Sequence, residues 1–186
     1  SAAQPDNLTK PTDLLDGLLS GLGHPVIGLD HMAFVLALGV AAGFTHSGFR
    51  IPSAFIASSM LGIALHLTRG TMPYPEALVA LSLVAIGVVF LMRRHLPWPR
   101  GWLAFAVAAG IVHGYVYADA IVEAEPIVRG SFLVGLAVSQ ALLALVSKAF
   151  VDIMLHEDQA IRGGVRVVGG VLVAVGVAFL AVTLQA

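Results

Sequence analysis

Cysteine is absent from this 186-residue chain, and Asp, Glu, Lys and Arg together make up only 11% of it. Without cysteine there is no disulfide, no thiolate metal site and no covalent haem-attachment motif. Any metal must therefore be held by nitrogen and oxygen ligands. The scarcity of charge, set beside 58% apolar residues and a mean hydropathy of +0.92, excludes an ordinary soluble domain. Such domains are about 45–50% apolar and about 25% charged. A soluble fold would need more polar surface to cover its core, whereas a bilayer solvates apolar side chains directly. The formal net charge of −1 leaves no basic surface for nucleic acid. No internal repeat supports an inverted-repeat transporter. No nucleotide-binding motif is present, so ATP-driven transport would need a partner.

What the chain does contain is long apolar windows. A helix needs about 20 mostly apolar residues to cross a bilayer. Six windows qualify, running from Leu29 to Gly48, Pro52 to Leu67, Pro75 to Met92, Trp102 to Ala118, Ile127 to Val151 and Val165 to Leu184. The second is short and invites extension or tilt. Breaks fall at Ile51-Pro52, Pro73-Tyr74-Pro75, Pro97-Trp98-Pro99, Glu125-Pro126 and Gly163-Gly164. Before the first window, Pro11 to Leu22 reads as a short amphipathic helix or an ordered loop. Thr12 is its candidate cap, and Leu14, Leu15, Leu18, Leu19 and Leu22 share one face. The expected fold is thus all-α, a polytopic transmembrane bundle of about six spans. It forms a single membrane domain over 1–186, with an extramembrane segment over 1–23 and the bundle over 24–186. Gly39 to Gly43 and Gly110 to Gly114 are GxxxG patterns that permit close helix approach.

Lys and Arg in the loops set the expected orientation. Arg50, Arg93, Arg94, Arg100, Lys148, Arg162 and Arg166 fall on one side, against Lys10, Arg69 and Arg129 on the other. The richer side is read as cytoplasmic, with both termini outside. The small, polar opening Ser1 to Gln4 suits the mature end left by a removed signal peptide, although a trimmed or tagged terminus looks the same.

Ionisable groups in a membrane are costly and usually face the bundle interior or a water-filled path. In this topology His24, Asp30 and His31 lie at the outer end of the first span, and His66 near the outer end of the second. His113 lies in the outer half of the fourth, followed by Tyr117, Asp119 and Glu123. Their agreement in depth marks His24, Asp30, His31, His66, His113 and Asp119 as candidate metal ligands. Imidazole with carboxylate suits borderline divalent ions such as nickel, cobalt and zinc. Pro25 and Gly28 suggest a bent backbone that turns His24 toward Asp30 and His31. On a regular helix Asp30 and His31 diverge by about 100°, so one is read as a ligand and the other as its partner. His46, Tyr117, Gln140 and Glu123 are candidate path-lining groups. His46, His95 and His156 fall on the other side, where an interfacial role is the simpler reading. Gln140 reads equally as an interhelical hydrogen bond. Asp119, Glu123 and Glu125 read as a solvated loop or as a field drawing cations in.

The stretch His24-Pro25-Val26-Ile27-Gly28-Leu29-Asp30-His31 resembles the HPxxGxDH signature of the HupE/UreJ family of hydrogenase- and urease-associated membrane proteins. The run His113 to Asp119 resembles that family's second motif, HGxAHGxE, with Tyr117 where a second histidine is common and Asp119 or Glu123 near the acidic position. Nickel/cobalt permeases with a His-x4-Asp-His signature are similar at a greater distance, the spacing here being His-x5-Asp-His. The resemblance implies a nickel permease of the bacterial inner membrane, with cobalt or zinc as alternative cargo. It implies no enzyme activity and no organic cofactor. Implied partners are the lipid bilayer, the divalent ion and hydrogenase or urease maturation proteins; a homo-oligomer is compatible. It carries over His24, Asp30, His31 and His113 as site residues, and depth adds His66. Because metal-bound imidazole is neutral, uptake should weaken as pH falls through about 6.5. Three other readings stay open: a b-type cytochrome with histidines on facing spans, an accessory or sensor that binds metal without transport, and a membrane metalloenzyme. No HExxH motif supports the last.

Overall fold

In a computed structural model, residues 11–45, 48–69, 72–92, 99–155 and 161–185 are described, and their regular structure is entirely helical. The order is α1 Leu14–Ile27, α2 Leu29–Phe44, α3 Arg50–Arg69, α4 Pro75–Met92, α5 Pro99–Tyr117, α6 Pro126–Leu155 and α7 Ile161–Thr183, with a 3₁₀ turn Ala118–Ala120 after α5. Pro75, Pro99 and Pro126 each occupy the first helical position. Proline is tolerated there because that N–H has no intrahelical partner. The expected breaks thus double as helix starts. Among the described residues, α3 to α7 are each long and apolar enough to cross a membrane. The second window is indeed longer than its apolar core, since α3 has 20 residues.

The first span differs from the expectation of one continuous helix from Leu29. α2 has 16 residues, about 24 Å at 1.5 Å per residue, which falls short of a hydrocarbon core of about 30 Å. α1 does not stop at Leu22 but continues through His24 and Pro25 to Ile27, and α2 leaves Gly28 at 79° to it. The two helices qualify as a span only together. Added Cβ atoms show the path. Those on Gly17 and Gly21 would meet Val128, Ser131, Phe132 and Leu136, while those on Gly39 and Gly43 would meet Ala144, Ser147 and Val151. Residue numbers rise together in both cases, so α1 and α2 run in the same sense as α6, along its first and second halves. The pair is therefore one crossing, broken beside the middle of α6.

The cap of α1 is Asp13, whose carboxylate accepts from the Asp16 N–H at 2.9 Å; Thr12, the expected cap, instead donates its hydroxyl to the Asp16 carboxylate. The leucine face also points the unexpected way. Gly17, Gly21 and Pro25 are buried against the bundle, while Leu14, Leu15 and Leu19 are more than half exposed. The same pattern holds for α6 and α7, where Leu142, Val146, Phe150, Ile153, Val167 and Val171 point outward. Small residues inside and large apolar residues outside are what lipid solvation permits.

α3 packs on α5, α4 on α7, and both α1 and α2 on α6. The core has two apolar clusters. One joins Phe34, Leu38, Ile51, Phe55, Leu83, Ile86, Phe90 and Trp102 toward the C-terminal end of α6. The other joins Ile63, Tyr117, Ile121, Phe132 and Leu136 toward its N-terminal end. Between them lies a polar layer.

Candidate metal site at the break in the first span

Breaking a helix at Gly28 exposes the last carbonyls of α1 and the first N–H groups of α2 inside the bundle. The Gly28 N–H reaches back to the His24 carbonyl at 3.3 Å, and the Asp30 carboxylate accepts from the His31 N–H at 2.9 Å. A carboxylate in the first turn also favours the helix dipole. Asp30 thus acts on the backbone of α2, while the His31 ring turns inward.

His31 is 7% exposed and His113 fully buried, with their Nδ1 atoms 3.1 Å apart. Two nitrogens bound to one ion at about 2.0–2.1 Å stand about 2.9–3.4 Å apart in octahedral or tetrahedral geometry. The spacing therefore serves a hydrogen bond without an ion and fits two adjacent ligands with one. His24 stacks with His31 at 6.4 Å between ring centroids. Tyr117, fully buried, is the hub, with His24, His31 and His113 at 5.3, 4.7 and 6.2 Å from its ring. Phe34 and Phe55 pack on His113 at 4.5 and 5.4 Å. Tyr117 Oη and Gln140 Nε2 are buried without a well-formed hydrogen bond among the described residues, although the Gln140 side chain is near enough to interact with the phenol. Orphaned polar atoms at such depth ordinarily hold water or an ion.

The layer holds Ser59 of α3, Ser82 of α4 and Gln140 of α6, each near the middle of its helix, together with His113, one turn before the end of α5, and Ser59 Oγ lies 3.3 Å from Gln140 Oε1. The break between α1 and α2 brings His24 and His31 to this layer, against Tyr117 and His113. His66 and Asp119 stand apart. His66 Nε2 lies 3.3 Å from Asp119 Oδ1, its ring packs on Tyr115 at 4.3 Å, and Ile63, Tyr117 and Ile121 separate this pair from the polar layer. Glu123 is exposed in the loop beyond. Among the described residues no three His, Asp or Glu side chains converge as a ready metal cage. His46, His95 and His156 lie outside the described residues.

Sequence reasoning missed Ser82 and Ser59. Ser82 Oγ lies 3.0 Å from His113 Nε2. A lone hydroxyl mid-way along an otherwise apolar span was the available signal.

Gly28 has ordinary φ and ψ of −76° and 99°, so alanine would not strain the backbone. Its Cβ would instead stand 2.7 Å from His31 Cδ2. Gly28→Ala is thus expected to keep the fold, displace the His31 ring and weaken binding of a divalent test cation at that ring about tenfold. Calorimetry beside a melting curve checks this; unchanged affinity would show that the ring is not held by this contact.

No solved structure matches the chain. The curated Protein HupE of Rhizobium leguminosarum bv. viciae is 31% identical over 105 residues, covering 55% of this chain and 54% of that protein. The chain therefore spans about half the length of the curated relative it matches. The sequence profile described as HupE / UreJ protein matches residues 5–179, a range holding both the broken first span and His113. This helical membrane protein belongs to the HupE/UreJ family.

Proposed function

We propose that the chain is a permease for a divalent transition-metal cation, nickel first and cobalt or zinc as alternatives, with the ion passing through the polar layer at Gly28. The observation that carries this reading is the His31–His113 pair, two buried imidazole nitrogens at a spacing that one ion can bridge. His24, Tyr117 and Gln140 line the same layer, and Asp30 holds the start of α2. The His66–Asp119 pair is the entry, where a hydrated cation meets a carboxylate before it loses water. The Lys and Arg distribution of the loops supports a reading in which this end lies outside the cytoplasm, in a bacterial inner membrane. The HupE/UreJ resemblance supplies nickel and the link to hydrogenase or urease maturation partners; the side chains themselves select only a borderline divalent ion.

A haem reading fits poorly. Two axial imidazoles must face each other across a macrocycle, whereas His31 and His113 touch directly and are boxed by Phe34, Phe55 and Tyr117. Titration of purified protein with Ni²⁺, Co²⁺ and Zn²⁺ tests the binding half of the proposal. Saturable binding of about one ion per chain, lost in His31→Ala, supports it. A preparation that binds none of the three ions contradicts it.

A further inference from the structure

We propose that Ser82 is a positioning residue that fixes the tautomer of His113, so that Nδ1 is the nitrogen presented to the cation. This rests on the His31–His113 pair being the cation site. A serine hydroxyl has one proton. Ser82 lies 2.7 Å from the Val79 carbonyl, which can only accept, so its proton goes there, as serines in apolar helices commonly arrange. Its oxygen can then only accept from His113 Nε2, 3.0 Å away, and that nitrogen carries the proton. The lone pair of a neutral His113 is therefore on Nδ1, facing His31 Nδ1 at 3.1 Å. Without an ion, His31 Nδ1 carries the proton between them, and a cation held by both nitrogens requires that proton to shift to His31 Nε2. Phe34 and Phe55 fix the plane of the His113 ring, but a plane alone does not decide which nitrogen holds the proton. The relay from Val79 to Ser82, His113 and His31 does.

The arrangement is the usual one for a histidine ligand, whose far N–H is held by an outer acceptor; losing that acceptor typically costs 10–100-fold in affinity. It also gives α4 a part in the site. α4 contributes no histidine or carboxylate to it, and packs mainly on α7.

The test is nitrogen NMR of purified, metal-free protein labelled with ¹⁵N-histidine, in lipid nanodiscs, with the His113 signals assigned by their loss in His113→Gln. Nickel affinity is measured separately by calorimetry. The wild type should show His113 protonated at Nε2 alone. Ser82→Ala should show both tautomers and bind nickel 10–100-fold more weakly. Ser82→Thr, which restores a hydroxyl, should recover both properties. Wild-type His113 protonated at Nδ1, or a tautomer unchanged in Ser82→Ala, overturns the inference. A wild type with the expected tautomer and no nickel binding instead overturns the cation site, while leaving the Ser82–His113 relay in place.

Discussion

Replacing His113 with alanine is expected to lower nickel affinity by more than about 100-fold, at or beyond the upper end of what loss of an outer partner costs. Two effects combine. His113 is bonded both to His31 and to Ser82, so its removal takes away one nitrogen of the pair and leaves the other without a counterpart. Its ring also packs against Phe34 and Phe55, which touch each other, and the hollow left behind should destabilise the bundle by about 2–5 kcal/mol, as for other large-to-small core changes. His113→Gln separates the two, because glutamine restores most of the volume and can still meet Ser82. Both variants should lose nickel in calorimetry, and only the alanine should melt markedly earlier. Retained affinity in His113→Gln would remove His113 from the ligand set.

The largest stability effect is expected one residue along. A Cβ on Gly114 would collide with the backbone carbonyl of Ser59, which cannot rotate away as a side chain would. Gly62 and Gly110 make equally close approaches along the same α3–α5 seam, against Ile111 and against Ser58 and Phe55. Glycine ordinarily costs a helix about 1 kcal/mol relative to alanine, so these glycines are kept for contact and not for helix formation. Gly114→Val should destabilise the protein by about 3 kcal/mol or more. By forcing α3 from α5 it should also move His113 away from His31 and Ser82, and nickel affinity should fall with stability. Gly130→Ala is the control. Nothing lies within 4 Å of its added Cβ, so this change should raise stability by about 0.5–1 kcal/mol. Thermal melts in one detergent compare the two; equal effects would mean that the α3–α5 seam is not as tight as the carbonyl contacts require.

The spans were legible because apolar runs and proline stops have only one sensible reading in lipid. Pro75, Pro99 and Pro126, read from sequence as breaks, are the first residues of α4, α5 and α6. The first span was not legible. The segment Pro11 to Leu22 was read as a helix or loop ending before the first span, and the apolar window after Gly28 looked self-sufficient. What decides the matter is Gly17, Gly21 and Gly135 bringing α1 and α6 into backbone contact, a pairing between positions more than 100 residues apart. His24, His31 and His113 were recognisable as costly side chains, but an argument from depth alone also drew in His66 and Asp119, which the fold keeps separate behind Ile63 and Ile121. Ser82 could not be singled out, since its meaning depends on a histidine 31 residues away on a helix that packs chiefly on α3. Tyr117, read as path-lining and placed where the family often has a second histidine, proves to be the side chain around which all three imidazoles pack.

Flux through the purified protein tests the central claim most directly. Radiolabelled Ni²⁺ is presented to proteoliposomes containing the wild type, His31→Ala or His113→Ala, with reconstitution checked for equal protein content and orientation. Wild-type vesicles should accumulate nickel saturably, and both variants should accumulate it no faster than empty vesicles. Nickel binding by the wild type without accumulation, or accumulation that both variants sustain at the wild-type rate, would contradict the claim.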